Sequence, residues 1–327
     1  MGAGSNFEHG VRSYGAVLAP ASLAPSFGDQ RGKNFFVNAD RGSDGASGLD
    51  VDHPLASITA ALAKCTSGAG DTVWVYPGTY DEAVTVSKDY VRLIGVRSGY
   101  GRPDVAPSSG TSRPLFIDNA QGVTVRSLRF VPDGIAVDTA KIEGNGFLIE
   151  DCVFDGDAAQ GATNGLLVLQ GDADDDSYTA SEGRIYGNYF RGSGSTAVAG
   201  AQIGIDIRHA ALPSGVGCSD VEIVGNRFIG NLVDLKSTAA ASGGGAGIYN
   251  NFLIAGNWFL SVGAAYVYGD LDQADAAAAD TDSGLVSGNY FADEAIVAGQ
   301  FDIATRPNVM FVGNYDAAGL INGAAFN

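Results

Sequence analysis

Short apolar runs that alternate with polar residues recur along the chain, and several close on Gly-Asn-aromatic-Phe: Gly187-Asn188-Tyr189-Phe190, Gly256-Asn257-Trp258-Phe259 and Gly288-Asn289-Tyr290-Phe291. A fourth copy, Gly225-Asn226-Arg227-Phe228, carries arginine in the third place, and a fifth, Gly313-Asn314-Tyr315, has Asp316 where Phe would fall. Counting each coil from four residues before the Gly puts the starts at Val91, Val123, Phe147, Gly183, Val221, Phe252, Gly284 and Val309. The shortest spacing, Val123 to Phe147, is 24 residues, close to a bare three-strand coil. The longest, Gly183 to Val221, is 38 and implies loops inserted at turns. Period-two alternation sends the first and third places inward, as in Val123/Val125, Phe147/Ile149, Val221/Ile223, Phe252/Ile254 and Val309/Phe311. The eighth place is Phe130, Phe154, Phe190, Phe228, Phe259 and Phe291, which predicts a ladder of rings in the core.

The motif assigns the other places as well. Asn188, Asn226, Asn257, Asn289 and Asn314 are expected at one turn of successive coils, in left-handed backbone, with amides bonding the coils above and below. The seventh place faces outward and reads Arg129, Val153, Tyr189, Arg227, Trp258, Tyr290, Tyr315. Tyr189, Arg227, Trp258, Tyr290 and Tyr315 suit either a protein interface or a sugar-stacking surface, unless flanking loops bury them. An exposed line would suit the seam of a homotrimer. About eight to ten coils, each about 4.8 Å high, give a rod on the order of 40 to 50 Å long.

Ahead of the repeats come Phe35-Phe36-Val37-Asn38, then Gly42-Ser43-Asp44-Gly45, then Pro54 to Leu62 with Ile58 and Leu62 on one helical face. Val73-Trp74-Val75-Tyr76-Pro77-Gly78-Thr79-Tyr80 and Val91-Arg92-Leu93-Ile94-Gly95 follow. This order, over about residues 34 to 96, resembles the opening of pectate-lyase-like right-handed parallel β-helix proteins, in which a short helix covers the open end of the solenoid. The fold expected is therefore all-β: a right-handed single-stranded parallel β-helix with a short N-terminal capping helix and an extended N-terminal arm. Residues 1–33 make the arm, 34–90 the opening and cap, and 91–327 the coils.

The arm has no period; it scatters Phe7, Val11, Tyr14 and Leu18 among Gly, Ser, Pro and Ala, and order there requires a neighbouring protein surface. Ser5-Asn6-Phe7-Glu8-His9-Gly10-Val11-Arg12-Ser13-Tyr14-Gly15 resembles the Phe-x-x-Gly-Val-x-Ser-aromatic-Gly openings of bacteriophage virion proteins. An ordinary irregular leader is the alternative.

With 37 acidic and 19 basic residues the net charge is -18, and Arg306 is the only cation after Lys236. Such a chain is repelled by phosphate backbones and anionic membranes, so neither nucleic acid nor membrane is an expected partner. Cys65, Cys152 and Cys218 are odd in number and far apart, which fits buried apolar residues better than disulfides or zinc. Met1 to Ser13 has no cationic start leading into an apolar run, so no secretory signal is expected and assembly in a host cytoplasm is.

Candidate chemistry is sparse. Taking Ile203, Ile205, Ile207, Val233 and Leu235 as inward leaves Asp206, Arg208, Asp234 and Lys236 outward on the strand after each Phe. A glycoside hydrolase needs two carboxylates flanking the bond, and a lyase needs a base and a cation. Asp206 and Asp234 with Arg208 and His209 are the best set the chain offers, and exposed ion pairs are the structural alternative. Gly171 to Asp176 and Gly269 to Asp275 are acidic loops able to take a divalent cation, though solvated loop tips fit such runs as well, and no cofactor is expected. The Asp40 to Gly48 loop reads as a plain turn, and His9 and His53 lack partner sets.

The function expected is that of a non-enzymatic structural virion protein, a capsid decoration or fibre-like trimer bound to its particle by the arm. A polysaccharide lyase or hydrolase of tailspike type and a non-catalytic carbohydrate-binding β-helix are the alternatives.

Overall fold

The computed structural model describes residues 6–7, 11–12, 32–99, 101–108, 112–132, 137–157, 160, 164–171, 179–193, 203–208, 218–231, 233–238, 251–260, 283–291, 309–316 and 319–320. The chain winds repeatedly through three sheets. The first has ten parallel strands, from Asn34–Val37 and Thr72–Val75 to Gly284–Ser287 and Val309–Val312. The second also has ten, from Thr79–Tyr80 to Tyr315–Asp316, closed by an antiparallel strand, Gly319–Leu320. The third has six: Val84–Val86, Leu115–Asp118, Ala140–Glu143, Gly165–Gln170, Ile203–Arg208 and Val233–Thr238. This is a right-handed single-stranded parallel β-helix, of the hand that parallel crossovers take.

The coil starts expected from the Gly-Asn motif coincide with the strand register. Thr124 pairs with Leu148, Leu148 with Arg184, Arg184 with Glu222, Glu222 with Leu253, Leu253 with Leu285 and Leu285 with Met310. Inside, Phe130, Phe154, Phe190, Phe228, Phe259 and Phe291 form one stack with centroids 4.9 to 5.2 Å apart. Where a coil opens on a large residue, the next makes room. Phe147 lies over Gly183, where an added Cβ would fall 2.0 Å from the ring.

The asparagines are buried inside the turn and are not left-handed, contrary to expectation. The glycine before each takes that conformation, with φ of 62 to 67° at Gly187, Gly225, Gly256, Gly288 and Gly313. Ser127 and Asp151 accept it in two earlier coils, at 57° and 54°. Glycine bears this geometry at no steric cost, which frees the next residue to point its amide inward. Each amide then donates to a main-chain carbonyl one coil back, Asn226 to Ile185 and Asn257 to Ile223, both at 2.9 Å. Earlier coils hold Leu128 and Cys152 at this place instead.

The capping helix, Ile58–Lys64, buries Ile58, Ala61 and Leu62 against the first strands of the first and third sheets. Its ends are charged to suit the helix dipole. Asp44 accepts from the N–H groups of Ala56 and Ser57 at 2.9 Å, so the Asp40 to Gly48 turn organises the helix start. Glu82 accepts from Ile58 and Thr59 at 2.7 and 2.9 Å. At the other end Lys88 donates to the carbonyls of Leu62, Ala63 and Cys65.

Candidate functional site

The second sheet carries one outward ladder in register: Asp104, Arg129, Val153, Tyr189, Arg227, Trp258, Tyr290, Tyr315. Its N-terminal part is a closed charge network. Arg129 donates to Asp155 at 2.7 Å and to Asp104 at 3.2 Å, and Arg191, in the neighbouring row, donates to both oxygens of Asp155 at 2.6 and 2.8 Å. Val153 departs from the expected outward line: it is buried, a short side chain between the longer Arg129 and Tyr189.

From Tyr189 onward the ladder changes character. The guanidinium of Arg227 lies 5.7 Å from the centroid of the Tyr189 ring and 5.1 Å from that of Trp258. Trp258 meets Tyr290 at 5.4 Å with the rings tilted by 51°. Trp258 is 46% exposed and Tyr315 49%. Ile229 and Leu260, paired across the same two strands, border the row with aliphatic surface. The result is a strip of aromatic rings around one cation, held on a rigid sheet.

The third sheet corrects the expected catalytic set. Asp206 and Asp234 are both buried, at 1% and 0% exposure, and they do not share a rung. Asp206 pairs with Lys236, while Asp234 falls between the Ile203–Val233 and Ile205–Leu235 pairs, level with Gly204. Strict alternation fails here because two consecutive residues of the preceding strand, Leu166 and Leu167, both join the core. A Cβ on Gly204 would meet the Phe228 ring at 2.7 Å, so this rung turns toward the interior. Ile203 and Val233, expected inward, are buried but outside the main core. Asp234 accepts from the Asn231 amide at 2.9 Å.

Asp206 faces Arg208, whose Nε donates to it at 2.6 Å. The two terminal nitrogens of Arg208 grip Asp138, 70 residues earlier, at 2.8 Å each. Burial opposes the charge on Arg208, but Asp138 and Asp206 outweigh it and hold the guanidinium protonated. Asp138, which also accepts from the Gly165 N–H at 2.8 Å, belongs to no sequence motif, and nothing local marks it as Arg208's partner.

Arg113 and Lys141 flank the Phe116 ring on the same sheet at 5.4 and 5.8 Å, and Lys141 is ion-paired with Glu143. His209, the Asp172 to Asp176 and Gly269 to Asp275 segments, Tyr14 and Leu18 lie outside the described residues, as do the side chains of Phe7 and Val11, whose backbones pair antiparallel. Among the described residues no cluster has the makings of a metal site, and no helix is long and apolar enough to cross a membrane.

No protein-family model matches the chain, and no curated protein matches it in sequence. Among solved structures it is similar to an alginate lyase from Paenibacillus sp. str. FPU-7, at 13% identity over 80% of this chain and 93% of that one, with a TM-score of 0.48. A rhamnogalacturonan lyase matches at 14% identity over 89% of this chain and 75% of that one, with a TM-score of 0.46. The Dettilon tailspike protein matches at 14% identity over 94% of this chain and 58% of that one, with a TM-score of 0.44. At such identity the likeness goes no further than the winding of the chain, a parallel β-helix, which the strand register establishes by itself.

Proposed function

We propose that the protein is a non-enzymatic contact rod, a virion surface protein of capsid-decoration or fibre type, which holds glycan along the outward face of its second sheet. The observation that carries this reading is the in-register run Tyr189, Arg227, Trp258, Tyr290, Tyr315, which presents rings on a scaffold already ordered. Aromatic faces fixed in this way stack on pyranose rings at little entropic cost. The candidate catalytic acids point the other way. A general acid or base must reach substrate and exchange its proton, whereas Asp206 is buried in an ion pair with Arg208 and Asp234 is buried beside Asn231. The placement on a virion is supported by the Ser5 to Gly15 wording, with residues 1–33 as the anchor and the particle surface as partner.

Titration calorimetry of the full chain against bacterial surface glycans tests the reading. Binding is expected, with loss in Trp258→Ala and Tyr290→Ala and retention in Asp206→Asn. Binding that survives removal of both rings would overturn it. Release of new sugar ends that disappears with Asp206→Asn would establish a depolymerase instead.

A further inference from the structure

We infer that the glycan held by the second sheet is anionic and that Arg227 reads its charge; the inference rests on the glycan reading above. Arginines elsewhere on this face are neutralised: Arg129 by Asp104 and Asp155, and Arg191 by Asp155. On the first sheet Arg184 is likewise paired, with Glu222. Arg227 has no carboxylate within ion-pair distance among the described residues, and the neighbours it does have are the Tyr189 and Trp258 rings. Both rings hold the guanidinium in place, and neither accepts its N–H groups as a carboxylate would.

A planar guanidinium with its donors unused is matched by an oxyanion, which it binds in bidentate fashion. A neutral saccharide laid over Trp258 and Tyr290 would instead cover those donors without giving them a charged acceptor. The arrangement also disfavours a second copy of the chain as occupant. A parallel three-fold seam along this ladder would set each Arg227 against its equivalents, like charge against like. The surroundings sharpen the choice, because a net charge of -18 repels anions everywhere except where a cation is placed for them. Carboxylate and sulfate share the chemistry that Arg227 recognises.

The test pairs charged and uncharged forms of one backbone: oligogalacturonate against its methyl ester, and dextran sulfate against dextran, each titrated into the full chain. The charged member of at least one pair is expected to bind about tenfold tighter, the worth of one charge-assisted contact. That preference should vanish in Arg227→Gln, survive in part in Arg227→Lys and shrink with added salt. Trp258→Ala should weaken both members of the pair alike. Equal affinity within both pairs would overturn the inference while leaving glycan binding intact, as would a charge preference that persists in Arg227→Gln. Failure to bind any of the four would overturn both. Arg227 is exposed, so Arg227→Gln is expected to keep the wild-type circular dichroism and melting temperature.

Discussion

The side-chain amide and the backbone N–H of Asn188 donate to a single atom, the Oδ1 of Asn226, at 3.0 and 2.9 Å. The same double donation runs from Asn226 to Asn257, Asn257 to Asn289 and Asn289 to Asn314. The Asn226 carboxamide therefore binds the coil before it through both its oxygen and its nitrogen, and the coil after it through its nitrogen. Asn226→Leu preserves volume, and leucine already fills the equivalent place at Leu128, but the change strands two buried donors on Asn188. The expected cost is about 3 kcal/mol, read as a lower urea midpoint with an unchanged slope. A loss below about 1 kcal/mol would show that the ladder is dispensable.

Removing Arg208 should cost more than removing either of its acids. Arg208→Met leaves Asp138 and Asp206 buried without their countercharge, an arrangement that typically costs about 3 to 5 kcal/mol. Asp206→Asn keeps an acceptor for the Arg208 Nε and should cost less. Thermal melts of the two variants settle the order, and equal stability would contradict the network's role as a scaffold.

Asp151 should leave a signature in acid. Burial raises its pKa, but hydrogen bonds from Ser127 and Arg102 and the charges of Arg102 and Arg97 more than offset this, so it lies below the ordinary 3.8. A carboxyl with a depressed folded pKa contributes stability above its unfolded value and loses it as pH falls through the folded one. The advantage of the wild type over Asp151→Asn should therefore be constant from neutrality down to about pH 4 and shrink below that. Urea midpoints measured across this range test the point, and a pH-independent difference would refute it.

The thiols should be silent in the native protein. Burial pushes Cys65, Cys152 and Cys218 each up to about 12, far from the thiolate form at neutral pH. Ellman's reagent should find no reactive thiol until denaturant is added, and then all three. A rapidly modified cysteine without denaturant would mean that one of these sites opens.

The elements marked by the Gly-Asn-aromatic-Phe motif were legible in the sequence because the motif itself sets the register. The coil starts, the Phe stack and the outward Tyr189, Arg227, Trp258, Tyr290 and Tyr315 all follow from counting along it. The third sheet has no such marker. With nothing to anchor the count, period-two alternation put Asp234 on the outer face, although the inward pair Leu166 and Leu167 two coils before shows the period breaking at this corner. The partnership of Asp138 with Arg208 spans 70 residues and crosses an intervening strand, a relation that local pattern does not encode. The asparagines were misread in backbone only: glycine beside them is the cheaper left-handed residue, so the amide was freed for the interior.

Four outward groups of the second sheet are sequence neighbours of core rings: Tyr189 of Phe190, Arg227 of Phe228, Trp258 of Phe259, Tyr290 of Phe291. The 4.9 Å pitch at which Phe190, Phe228, Phe259 and Phe291 stack is thereby handed to the surface as a graduated scale, cut from the inside. A polymer whose own repeat matches that graduation gains a contact with every unit added until the scale ends at Tyr315. One with a different repeat would drift out of phase and gain nothing further, so under the glycan-binding proposal the hydrophobic interior would act as a vernier that selects ligands by the length of their repeat.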